Sequence, residues 1–331
     1  MVASRGDENE NCVRPGVRRR HRADVVIVRP KPSFFDLLFA LRGSIVPVVA
    51  PRVAFIALLA TGVAFYVRTH PTSAVASFTV APFTVIGLAL SVFLSFRNSA
   101  CFERWWEARK HWGQLIWEAR SLARELQGLL PDEADRERRS FILRHASAFA
   151  YALAARLRGA DEIAATARIL PEHERRTFAD RSNVTDAILV VMTTELTRCV
   201  RDGRLTDVLY ATVAQRINAM AGVQAACERI RNTPLPFAYS LLLHRTAYLF
   251  CLLLPFGLVG AVGLVTPLVA AVVAYTFFGL DALGDELEEP FGLSANDLPI
   301  DALARIVEID LSDAMGVAPP PPLEPVDFVL R

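Results

Sequence analysis

Lysine is almost absent from this chain. Lys31 and Lys110 are the only two, so nearly all basic charge is arginine, which reads as a composition bias and not as a phosphate-binding design. Charge of any kind is scarce: 21% of residues are charged and 53% are hydrophobic. That balance is too apolar for an average soluble domain of 331 residues. The formal net charge is only +1, so no excess of either sign points to a nucleic-acid partner. The five cysteines, Cys12, Cys101, Cys199, Cys227 and Cys251, form no Cys-x-x-Cys pair, which excludes a zinc ribbon and argues against a disulfide framework. The six histidines lack metal-ligand spacing, and Pro171-Glu172-His173-Glu174 lacks the second His of a zinc helix. No strand precedes Gly257, Gly260 and Gly263, so these glycines fit a turn and close helix packing better than a nucleotide loop. No catalytic constellation is present, and neither an enzyme nor a cofactor is expected.

What the chain does have is long uncharged runs. Spanning the ~30 Å hydrocarbon layer takes roughly 20 apolar helical residues. From Gly43 to Val67 the only charge is Arg52, near enough to the start to snorkel to the headgroups. A second run follows to Phe96 after Pro71, Thr72 and Ser73. The third, Thr246 to Leu280, is 35 residues without charge, about 52 Å as one helix and too long for a single span. Breaking it near Gly257, Gly260 and Gly263 gives four predicted spans, at about 46–67, 79–96, 237–257 and 264–283. His244 and Arg245 then fall inside the third span and are expected to face protein or the interface.

Between the pairs, 97–235 is rich in Arg, Glu and Asp and patterned as amphipathic helices near 97–129, 135–158, 182–202 and 204–231. Basic residues crowd the N-terminal segment and the start of this middle region, while the 68–78 and 258–266 connections carry almost none beyond Arg68. The positive-inside rule places both termini and the middle region in the cytosol. Residues 1–29 lack the apolar core of a secretory signal and read as a disordered tail. Residues 317–331, with Pro319 to Pro322 in a row, cannot continue a helix.

In the second span, Leu88, Val92 and Phe96 recur at i, i+4 and i+8, an apolar stripe on one helix face, and Gly87, Ser91 and Ser95 form a row of small residues beside it. Around a symmetry axis each stripe residue would become a ring, and stacked apolar rings make a dehydrated constriction with little charge selection of its own. By itself such a stripe is ordinary on a transmembrane helix and reads first as lipid or core contact. Immediately downstream, Phe96-Arg97-Asn98-Ser99-Ala100-Cys101-Phe102-Glu103-Arg104-Trp105-Trp106-Glu107-Ala108-Arg109 puts charges and then aromatic rings where the helix leaves the membrane, as an interfacial belt or a packing anchor.

With that block, with Asn232-Thr233-Pro234-Leu235-Pro236-Phe237-Ala238-Tyr239 before the third span, and with Phe278-Gly279-Leu280-Asp281-Ala282-Leu283-Gly284-Asp285-Glu286-Leu287-Glu288-Glu289-Pro290-Phe291-Gly292 after the fourth, the chain resembles the bestrophin family in its bacterial branch, over about 30–313. The resemblance implies an all-α membrane protein: a homopentamer in a bacterial inner membrane, residues 30–316 of each subunit forming the channel domain, with four transmembrane helices per subunit, a large cytosolic helical domain and a central pore for monovalent ions. It places the pore neck on Leu88, Val92 and Phe96, and a second, cytosolic constriction within Leu209, Ala211 and Val213. Chloride and other anions are the expected permeant ions; a cation-selective channel and a non-conducting scaffold are the alternatives. The Ca²⁺-clasping acidic run of the family's eukaryotic members is replaced here by Leu293-Ser294-Ala295-Asn296-Asp297-Leu298-Pro299-Ile300-Asp301, in which Asn296, Asp297 and Asp301 supply too few side-chain oxygens for the 6–8 that Ca²⁺ takes. Asp281, Asp285, Glu286, Asn296, Asp297 and Asp301 remain a candidate acidic vestibule or ion site. Their plainer reading is a solvated face paired with the Arg-rich domain.

Overall fold

The computed structural model describes residues 43–325, so the N-terminal tail of 1–29 and the last residues of the Pro-rich tail lie outside it. Among the described residues all regular structure is helical: α1 Val46–Thr69, α2 Ala81–Leu129, α3 Arg136–Arg158, α4 Glu162–Ala165, α5 Glu172–Arg176, α6 Val184–Arg201, α7 Asp207–Asn232, α8 Phe237–Val262, α9 Thr266–Glu288 and α10 Ile300–Met315. Three helical stretches are long and apolar enough to cross a membrane: α1, α2, and the α8–α9 stretch Phe237–Glu288.

The predicted second span and first amphipathic helix are one helix. No proline interrupts the chain between Pro82 and Pro131, so nothing stops α2 at the membrane boundary. Its 49 residues extend about 73 Å, more than twice the hydrocarbon thickness. The α8–α9 stretch does fold back, but later than expected. α8 continues through Gly257 and Gly260 to Val262, and the turn is the 3₁₀ segment Gly263–Val265, where Gly263 takes φ 56°, a conformation that favours glycine. Gly257 serves packing instead: a Cβ there would meet the Phe83 ring at 2.3 Å. Phe250 against Phe277, Tyr248 against Phe278 and His244 against Asp281 show α8 and α9 running antiparallel.

Two principal apolar cores result. One joins Val49, Ile56 and Ala60 of α1, Leu90 and Leu94 of α2, Leu243, Ala247, Phe250, Cys251 and Leu254 of α8, and Ala270, Ala274, Phe277 and Phe278 of α9. A small cluster of Val63, Ala64 and Val259, with Val75 against it, caps its far end, so the α1–α2 and α8–α9 turns share that end. The larger core lies in the base, where lower α2 (Trp112, Leu115, Leu122, Leu126), α3, α6, α7 and α10 pack together. Charges on the base are widely paired: Arg216 with Glu118 and Glu125, Arg229 with Glu107, Arg120 with Asp310, and Arg204 with Asp132 and Asp135. Asn183 caps α6 by accepting from the Asp186 amide at 3.0 Å, a local reason for Asn at that position. After Gly316, at φ 70°, the Pro-rich segment turns back and Pro321 accepts a hydrogen bond from Arg305 at 2.8 Å.

Candidate functional site

Leu88, Val92 and Phe96 lie on the side of α2 that the subunit's own core leaves bare, 67%, 44% and 62% exposed. Leu90, Leu94, Arg97 and Cys101 are buried. At about 100° per residue the buried set points roughly opposite to Val92. The small-residue row divides: a Cβ on Gly87 would meet the Phe250 ring at 3.0 Å, so this glycine lets α2 approach α8, whereas Ser91 turns its hydroxyl onto its own helix at Leu88 O, 2.8 Å away.

Directly beneath Phe96 the helix becomes ionic on its inner side. Arg97, 2% exposed, donates to Asp281, 0% exposed, at 2.9 Å and to Asp285 at 2.5 Å, with Glu288 at 3.5 Å. His244 Nδ1 lies 2.7 Å from the other Asp281 oxygen. The closeness of α2 to α9 here needs Gly284, where a Cβ would meet Asn98 Oδ1 at 2.8 Å and Arg97 Nη1 at 3.1 Å. Two turns lower, Arg104 donates to the carbonyls of Ile230 and Thr233 at 2.6 and 2.5 Å and of Glu288 at 3.3 Å. Trp105 donates to Asn296 O at 3.0 Å, Glu107 pairs with Arg229, and Leu235 N donates to Glu288 at 3.1 Å. The three sequence blocks therefore meet at one junction between the apolar helices and the base. Arg104 neutralises carbonyls at the α7 C-terminus, the negative end of that helix dipole.

The expected acidic vestibule is not one site. Asp281 is fully buried on Arg97 and cannot line open water, since an internal carboxylate is stable only when paired. Glu286 accepts from Asn296 at 2.5 Å, and Asp301 pairs with Arg158. Asp297, 3% exposed, accepts from the Ser294 amide at 2.6 Å inside the Pro290–Leu298 turn. Burial, with Glu289 and Glu286 nearby, pushes its carboxyl up to about 6. Gly292 makes room for that carboxylate, its Cβ position lying 2.5 Å from Oδ2. Among the described residues no group of three or more His, Cys, Asp or Glu side chains converges as a metal site.

Of the cytosolic-constriction residues, Val213 is 0% exposed within the core of the base, Leu209 packs against that core, and Ala211 is exposed. The large apolar side chain that α7 does expose is Val208, 77% exposed and one residue before the expected window. Helix periodicity around the buried Val213 and Ile217 could have marked Val208 as outward-facing. Arg52 sits over the Tyr248 ring, 5.5 Å from its centroid. His244 faces protein as expected, whereas Arg245 is exposed.

Residues 26–313 match the family model for Bacterial/Fungal Bestrophin protein. The chain is 43% identical over 295 residues to a voltage-dependent anion channel-forming protein of Mesorhizobium japonicum, covering 89% of this chain and 94% of that protein. It is 40% identical over 287 residues to one of Escherichia coli K12, covering 86% and 93%. A crystal structure of a bacterial bestrophin homologue from Klebsiella pneumoniae superposes with a TM-score of 0.76 at 38% identity, covering 82% of this chain and all of that one. With the stripe, the junction and the helical base arranged as described, this chain belongs to the bestrophin family.

Proposed function

We propose that five copies assemble around an axis lined by α2 and form an ion channel, with Leu88, Val92 and Phe96 as its apolar neck. Each subunit contributes four spans, α1, upper α2, α8 and α9, with both termini and the base in the cytosol of a bacterial inner membrane. The observation that carries this reading is the bare face of α2. Three large apolar side chains at helical spacing stand exposed on the side of α2 opposite its buried residues, and neighbouring copies turn them into rings. Rings of this kind control conduction by wetting and dewetting.

The pairs Glu107–Arg229 and Glu118–Arg216 support a second narrowing. They run α7 antiparallel to lower α2, bringing Val208 level with the foot of α2, about 45 Å below Phe96. Val208, in place of Leu209, Ala211 and Val213, is the α7 side chain that lines the cytosolic exit. The permeant ions are monovalent anions such as chloride, a choice supported by the name voltage-dependent anion channel-forming protein carried by the Mesorhizobium and Escherichia relatives. The chain is a channel and not an enzyme.

Reconstitution of the purified protein in planar bilayers under a salt gradient tests this. Currents reversing near the chloride equilibrium potential are expected. Silence from both the wild type and a Val92→Ala, Phe96→Ala variant would remove the channel reading, and reversal at the cation potential would remove the anion assignment alone. A solubilised complex whose mass is not that of five chains would undo the ring.

A further inference from the structure

α2 carries four acidic side chains, and three of them have partners: Glu107 with Arg229, and Glu118 and Glu125 with Arg216. Glu103 is exposed and has no hydrogen bond or ion pair among the described residues. Its direction is that of the neck stripe. At about 100° per residue it lies roughly 20° from Val92 around the helix axis, and at 1.5 Å per residue about 10 Å below Phe96. Ser95 and Ser99 are the exposed small residues along the same face. The aromatic stack of Phe102, Trp105 and Trp106 lies to one side of it. An ionised carboxylate without a partner is costly against lipid or inside a dry contact, so this position is stable only where water reaches it.

We propose that Glu103 weakens the anion preference of the pore, as a ring of carboxylates at the inner mouth of the neck. This rests on the reading of α2 as the pore-lining helix. The apolar neck does not discriminate charge, so the first fixed charge beyond it shifts the balance between anions and cations. The ring attracts cations to the mouth and opposes anions entering or leaving there. Glu103 thus limits anion preference, and its removal strengthens it. Lys110 occupies the same face, about 10 Å further from the neck, roughly one Debye length away at physiological salt, and has the weaker influence.

The experiment is the reversal potential of reconstituted channels in a tenfold KCl gradient for wild type, Glu103→Gln, Glu103→Lys and Lys110→Gln, with the mass of each complex and its melting temperature measured alongside. Glu103→Gln is expected to raise the chloride-to-potassium permeability ratio about threefold or more. Glu103→Lys moves it further in the same direction, and the shift shrinks as total salt rises from about 0.03 to 0.3 M because screening shortens the reach of the ring. Lys110→Gln produces a smaller change of opposite sign. Wild-type ratios in both Glu103 variants, with conduction intact, would overturn the proposal and leave the pore standing. Loss of the assembled complex in Glu103→Gln would overturn it too, placing the side chain in a packed contact. Absence of current in wild type as well would remove the pore reading beneath it.

Discussion

Above Arg97, α2 buries only Leu90 and Leu94 and leaves Leu88, Val92 and Phe96 bare; below it, the same helix buries Cys101, Ala108, Trp112, Leu115, Leu122 and Leu126. The charges of the lower half are mostly tied to α7 and α10, by Glu107–Arg229, Glu118 and Glu125 with Arg216, and Arg120–Asp310. The lower half is thus satisfied by its own chain. The upper half is not, and its exposed apolar face is stable only against lipid or other copies. One continuous helix joins the two.

The comparison predicts that truncations will sort by half. Trp112→Ala removes a 0%-exposed side chain from the base core and should cost about 3–5 kcal/mol, seen as a large fall in the melting temperature of the solubilised protein. A loss below ~1 kcal/mol would mean that the base is not the self-sufficient half. Next in size is the link between halves. Asp281→Ala leaves Arg97 buried with only Asp285 and Glu288 near it, and should cost about 3 kcal/mol, the low end for a broken buried pair. An Arg97→Met, Asp281→Leu double variant should recover most of this. If the double variant is no more stable than Asp281→Ala, the ion pair is not what destabilises the single one.

A smaller effect belongs to the Pro290–Leu298 turn. The folded turn holds the Asp297 proton more tightly than an unfolded chain does, so the native state binds more protons than the unfolded state between about pH 4 and pH 6, and this residue's contribution to stability falls as pH rises through that window. Asp297→Asn should be more stable than wild type by about 2–3 kcal/mol above pH 7 and nearly equal to it near pH 4. A difference that is constant with pH would contradict the buried-carboxylate account. Smallest of all, Val92→Ala should change the subunit's own stability by no more than about 0.5 kcal/mol, because the chain gives this side chain no core to leave, while changing conduction.

The helical class, the helices of the base and the stripe were legible in the sequence because each rests on local periodicity. Asn183, Gly159 and Gly316 end or begin helices within a residue or two of where their chemistry suggests. What could not be read was pairing across long separations. Asp281 and Arg97 are 184 residues apart, and a carboxylate in an acidic run looks solvated until its partner is known. The turn falls inside the expected 258–266 connection, but which glycine makes it was not legible: Gly257 and Gly263 look alike in sequence, yet one makes room for Phe83 and the other supplies a positive φ. On α7 the sequence left the narrowing between Leu209 and Val213 because no motif lies close enough to anchor it, and the proposed side chain, Val208, is the exposed one just before that window.

The most direct test of the bare face is thiol labelling of reconstituted channels carrying single Val92→Cys or Phe96→Cys substitutions. Four native cysteines, Cys101, Cys199, Cys227 and Cys251, are buried, and the fifth, Cys12, which lies outside the described residues, is replaced by Ser in every channel including the wild-type control. A small charged thiol reagent added from the water should block current through both variants and spare the wild type. Block of neither variant, with conduction intact, would mean that this face of α2 meets lipid, and would contradict the account.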